Sequence, residues 1–143
     1  MKRKGDIVIK TSRFLSNSAE IGGAVAIHTQ HQAEGSVIMF QVGFINNSAL
    51  FGGAVHIAKR FADKIPKGRK IIRDCVFANN TAVTIGQSVF TNCGVTIIDT
   101  SVESFERSDT FHVHIEGGSR WQVAMVRNTT LHLYRSVGKF DHW

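Results

Sequence analysis

Apolar and polar positions alternate along this chain in short runs. Ile7 and Ile9, Val37 and Met39, and Val95 and Ile97 are each separated by one residue. Downstream, Phe111, Val113 and Ile115 alternate with His112, His114 and Glu116, and Trp121, Val123 and Met125 alternate before Leu131 and Leu133. A period of two marks short strands with one buried face, and helical spacing is not sustained anywhere over twelve residues. The pattern predicts an all-β chain.

The runs also repeat. Phe14–Val25 (FLSNSAEIGGAV) and Phe44–Val55 (FINNSALFGGAV) agree at eight of twelve positions. A third copy begins at Phe77 (FANNTAVTIGQSV) and carries one extra residue before Gly86. Aligned on the Phe, the segments Ile7–Phe14, Val37–Phe44, Lys70–Phe77 and Val95–Val102 share one frame, whose third position is Ile9, Met39, Ile72 and Ile97. The Phe spacing of 30 and then 33 residues is too short for a propeller blade, which takes about forty residues and four strands. It suits three short strands joined by bends, one coil of a parallel β-helix, with coils stacked ~4.8 Å apart.

That geometry turns equivalent positions into columns. Phe14, Phe44 and Phe77 are expected to stack inside the tube. Asn17, Asn47 and Asn80 are expected to satisfy backbone groups at a bend and to bond one another along the axis. Ala19, Ala49 and Ala82 fit a tight corner. Gly22-Gly23, Gly52-Gly53 and Gly86 turn the chain through positive φ or close backbone approach. The reading is a solenoid of about five coils: 7–36, 37–69, 70–94, 95–118 and 119–137. Residues 1–6 form a basic N-terminal tail, 138–143 a C-terminal tail, and the stretch 59–69, with Pro66 and Gly68, a protruding loop.

Phe-x-x-Asn paired with Gly-Gly-Ala-Val resembles the repeat of the chlamydial polymorphic membrane proteins, FxxN plus GGA followed by Ile, Leu or Val. Phe14/Asn17 with Gly22–Val25 and Phe44/Asn47 with Gly52–Val55 match in full, whereas Phe77/Asn80 is followed by Gly86-Gln87-Ser88-Val89. The resemblance covers about residues 7–94. It implies a right-handed parallel β-helix of the pectin lyase-like type, an extracellular or cell-surface setting, and an adhesive role toward a host or cell-surface protein or glycan. No signal peptide or amphipathic capping helix is visible, so the chain is expected to be a fragment of a longer surface protein.

Composition narrows the alternatives. Hydrophobic residues make up 43% of 143, enough for a core and against disorder. Thirteen glycines without a three-residue period exclude collagen. No apolar run approaches the ~18 residues of a membrane span. The formal charge of +6 draws on Lys2, Arg3 and Lys4 and on Lys64, Lys67, Arg69 and Lys70, which read as solvated tail and loop. Aromatic residues fall at inward positions rather than among the cations, against a nucleic-acid platform.

Candidate chemistry is sparse. Asp74 and Asp99 occupy the fifth position of the frame, where the first two coils carry Thr11 and Gln41. Stacked carboxylates, with Arg73 or Lys70 as cationic partner, are the candidates for the alternative function, a polysaccharide lyase or hydrolase. The preferred reading is a non-catalytic module without a cofactor. His28, His31 and His56, and the pair His112 and His114, form pairs rather than the three or four converging ligands zinc requires. Cys75 and Cys93 read as two free or buried thiols. Asn46, Asn79 and Asn128 head Asn-x-Ser/Thr sequons and are candidate glycosylation sites.

Overall fold

The computed structural model describes residues 5–29, 35–59, 68–93 and 95–103, together with the strand segments 113–115, 125–127 and 130–132. The described residues are all-β. The strands are β1 (Ile7–Leu15), β2 (Val25–Thr29), β3 (Val37–Ile45), β4 (Ser48–Phe51), β5 (Val55–Lys59), β6 (Lys70–Arg73) and β7 (Val76–Ala78). They continue as β8 (Thr81–Ile85), β9 (Val89–Thr91), β10 (Thr96–Ile98), β11 (Ser101–Glu103), β12 (Val113–Ile115), β13 (Met125–Arg127) and β14 (Thr130–His132). The Lys4-to-Met1 tail, the 60–67 part of the predicted loop and the 138–143 tail lie outside the described residues.

Every strand pairing is parallel and joins one repeat to the next. In the largest sheet β1 lies on β3, β3 on both β6 and β7, β6 on β10 and β7 on β11, and these lead to β13 and β14. The second sheet runs β2, β5, β9, β12, and β4 pairs with β8 in the third. Among the described residues the sheets do not close on one another. β3 belongs to two strand lines because the chain bends at Gln41, where φ is 56°.

The register follows the sequence frame. Ile9, Met39, Ile72 and Ile97 are Cα partners in turn, as are Phe14, Phe44, Phe77 and Val102. The extra residue of the third repeat is absorbed as an irregularity between β4 and β8, where Ala49 faces Ala82 but Phe51 faces Ile85. Gly52 and Gly86 therefore still coincide. In the divergent third, β13 places Val126, rather than Met125, opposite Ile97, which shifts the expected alternation there by one residue. Ala49 and Ala82 lie within paired strands and not at a corner, a correction to the sequence reading.

Two side-chain columns hold the stack. The Phe rings lie parallel, with centroids 5.2 Å apart for Phe14–Phe44 and 4.8 Å for Phe44–Phe77. Phe44 and Phe77 are fully buried, each contributing roughly 1.5–3 kcal/mol of burial and ~1 kcal/mol of ring contact. The second column is the asparagine ladder. Asn17 donates from its backbone N and its Nδ2 to Asn47 Oδ1 at 3.0 and 2.9 Å, and Asn47 does the same to Asn80 Oδ1 at 3.0 Å each. The spare amide hydrogens reach back, Asn47 Nδ2 to Phe14 O and Asn80 Nδ2 to Phe44 O.

The bends themselves are columns of positive φ. Ser16, Asn46 and Asn79 form one, at 53°, 55° and 52°, immediately before each ladder asparagine. Gly22, Gly52 and Gly86 form another, at 57°, 61° and 69°. The left-handed residue at this bend is thus the one before each ladder asparagine. Gly23 and Gly53 serve by close approach: a Cβ on Gly23 would collide with the carbonyl oxygens of Gly53 and Ser48.

The ladder predicts unequal costs along one column. Asn47→Ala strands buried partners on both sides and should lower unfolding stability by about 2–4 kcal/mol. Asn17→Ala removes one part-exposed bond and should cost under about 1 kcal/mol. Urea denaturation of the two variants distinguishes them; equal costs would contradict the ladder.

Candidate functional site

The outer face of the first bend carries a groove of about 420 Å³, lined by Thr11, Ser12, Arg13, Gln41, Gly43 and Asp74 among others, with Val42, Ile45 and Val76 as its apolar part. Two columns build it. One is Thr11, Gln41 and Asp74, a column that Asp99 continues beyond the groove; their φ values are 46°, 56°, 52° and 49° in turn, so the fifth frame position is a left-handed bend in all four repeats. The other is Arg13, Gly43 and Val76, which are Cα partners in turn on the outward side of β1, β3 and β7. Gly43 leaves a gap between two full side chains. Added there, a Cβ would meet only Arg13 Cγ at 3.6 Å, an ordinary van der Waals contact, so a side chain could stand there without a clash at its Cβ.

This geometry re-explains the two aspartates. A short polar side chain tolerates left-handed backbone better than most residues, so Asp74 and Asp99 have a structural reason to stand at the bend. They belong to the same column, as expected, yet only Asp74 lines the groove. Its Oδ2 lies 3.5 Å from Nε of Arg73, both side chains being substantially exposed, so the pair is screened by water. Asp99 is exposed.

Lys70, the other proposed cationic partner, is elsewhere. It is the Cα partner of Val37 and points with it into the interior, 4% exposed. Its Nζ donates to Gly68 O at 2.7 Å. Burial pushes the amine below its ordinary value, and Cys93 works in the opposite direction. Lys70 therefore cannot serve the outer groove. The sequence frame carried the signal, since it places Lys70 where Ile7 and Val37 stand.

Cys75 and Cys93 are free and buried. Cys75 Sγ approaches Arg73 O at 3.2 Å, and burial raises its pKa, which disfavours the thiolate form. Cys93 Sγ lies 3.4 Å from Thr91 Oγ1. Among the described residues no three His, Cys, Asp or Glu side chains gather. His31 and His112 lie outside the described residues. His28 is the Cα partner of Ala58, while His56 pairs with Ala26 and Phe90. The two imidazoles meet edge-on at 5.6 Å, and His56 stacks flat on Phe90 at 4.8 Å. His56 is buried, and its Nδ1 has no hydrogen-bond partner.

The sequons differ in access. Asn46 is exposed, whereas Asn79 is half-buried with its Oδ1 covered and unpartnered. Asn128 lies outside the described residues. A smaller hollow of about 280 Å³ over β4 and β8 is lined by Ser18, Ser48 and Thr81 with apolar neighbours, and has no charged residue in its lining. The first-bend groove therefore has the richer binding chemistry. Sequence reasoning missed its polar members Ser12 and Arg13, the gap at Gly43, and the apolar Val42, Ile45 and Val76. The available signal was a glycine at an outward position where neighbouring repeats carry Arg13 and Val76.

Burial, then the nearby His28, lowers the pKa of His56 below 6.5. The unfolded chain then binds more protons than the folded one, so stability is full above about pH 6.5 and falls as pH drops through and below that value. Thermal melts from about pH 7.5 to about pH 5 should show this loss. His56→Phe, extending the stack on Phe90, should flatten the slope.

No protein-family model, curated protein or solved structure matches the chain.

Proposed function

We propose that the chain is part of a right-handed parallel β-helix of the FxxN and GGA type, a non-catalytic surface or secreted module whose first-bend groove recognises an anionic glycan. Support for the coil architecture comes from the in-register parallel pairing 30 and 33 residues apart and from three recurring columns of positive φ. The cell-surface setting and the adhesive role rest on the repeat motif.

The observation that carries the recognition reading is the composition of the groove. Thr11, Ser12, Gln41 and Arg13 line the groove beside an apolar strip; the Ser12 hydroxyl donates to Lys10 O at 2.7 Å, leaving its oxygen as an acceptor. Sugars present hydroxyls for such donors and acceptors and a C–H face for the apolar part. The cations favour an acidic sugar: Arg13 lines the groove, exposed Lys10 stands in register with Phe40 and Arg73, and Arg73 offsets the one carboxylate, Asp74. A guanidinium fork fits a carboxylate or sulfate in bidentate fashion. Among the described residues, this groove holds one carboxylate, whereas acid–base cleavage of a glycoside uses a pair.

Binding to immobilised uronate and sulfated polymers is the test. Salt-sensitive binding is expected, with neutral glycans bound weakly. Gly43→Phe fills the gap on an outward strand position and should weaken binding at least about tenfold, ~1.4 kcal/mol, with the melting temperature little changed. Turnover of uronate polymers that disappears in Asp99→Ala would contradict the non-catalytic reading and favour the lyase or hydrolase alternative.

A further inference from the structure

The first repeat presents the same inward positions as the second, but uncovered. Ile7 is 44% exposed where its partner Val37 is 2% exposed. Ile9 and Phe14 are half-buried, whereas Met39 and Phe44 are fully buried. Asn17 is exposed and Asn47 is fully buried. Phe14 stacks on Phe44 with one face, and among the described residues no ring lies against its other face.

The asparagine ladder specifies what this edge would accept. At both junctions the relation is identical: the upstream asparagine gives its N–H and its Nδ2–H to the Oδ1 of the downstream one. The downstream Nδ2 gives its other hydrogen to the carbonyl of the upstream Phe. Extended one step upstream, Asn17 Oδ1 is an acceptor, and the second Nδ2 hydrogen of Asn17 is a donor. Neither has a partner among the described residues. An Asn side chain fits this pair of groups. Aspartate lacks the Nδ2 donor and would set a carboxylate against Asn17 Oδ1. The carbonyl three residues earlier completes the set, and an aromatic side chain at that residue would lie on Phe14.

We propose that the β1 edge is a docking surface for a parallel Phe-x-x-Asn strand, seated on Ile7–Asn17 in the register that β1 itself takes on β3. The occupant extends an interface the fold already repeats twice, and hydrogen-bond complementarity, not apolar exposure alone, selects it. The inference rests on the stacked-coil reading of the chain and not on the glycan reading, although its seat includes the groove residues Thr11, Ser12 and Arg13.

The probe is a labelled synthetic peptide with the sequence of residues 37–51, titrated into the full chain and followed by fluorescence anisotropy. Hydrogen exchange maps where it sits. Saturable binding is expected, with new protection confined to residues 7–17. Asn47→Asp in the peptide, or Asn17→Ala in the protein, should weaken it at least about tenfold. No binding to a protein whose β3 and β5 amides remain protected would overturn the docking proposal while leaving the stack intact. Loss of that protection in the free protein would instead overturn the stacked-coil reading on which it rests. Affinity unchanged by both substitutions would also overturn the proposal. So would concentration-dependent dimerisation that protects 7–17, because two identical edges cannot both take the upstream and the downstream role of the ladder.

Discussion

The amide ladder of Asn17, Asn47 and Asn80 is the constraint from which the rest of the architecture follows. Each link takes both an N–H and a side-chain N–H from the repeat before it and returns a hydrogen bond to that repeat's backbone. A buried amide left unpaired costs about 1–3 kcal/mol, so a ladder of this kind tolerates one register. A slip of one residue would also turn Phe44 and Met39 outward. Registry then fixes where every outward residue lies, including those of the groove.

The groove is a by-product of that registry. Three left-handed bends per repeat let short strands turn through open corners, and the first corner is occupied by Thr11, Gln41, Asp74 and Asp99. Nothing requires those four side chains to be alike, because the constraint acts on φ. The corner is free to vary chemically while the backbone stays constant. Arg13, Gly43 and Val76, one step outward, vary for the same reason. A rigid inner ladder beneath a variable outer surface is the division of labour expected of a recognition scaffold.

What could be read in the sequence follows this division. The Phe, Asn and Gly columns were legible because stacking selects the same residue at each level, and even the inserted residue before Gly86 could be placed. The fifth-position bend was not legible as a bend, since Thr, Gln and Asp share no side-chain signature, and Asp74 and Asp99 looked instead like paired carboxylates. Lys70 was misplaced for the opposite reason: its charge suggested solvent, while its frame position, shared with Ile7 and Val37, put it inside. His56 lies on an outward column yet is buried against Phe90, a contact between repeats that alternation alone does not reveal.

Registry is tested most directly by cross-linking. Ser18 and Ser48 are bridge partners on adjacent repeats, with their hydroxyls 3.1 Å apart, and stacked strands lie ~4.8 Å apart, close to disulfide geometry. Ser18→Cys combined with Ser48→Cys should form a disulfide under mild oxidation, and Ser18→Cys combined with Leu50→Cys should not. Equal cross-linking of both pairs, or cross-linking of the second pair alone, would contradict a single in-register stack.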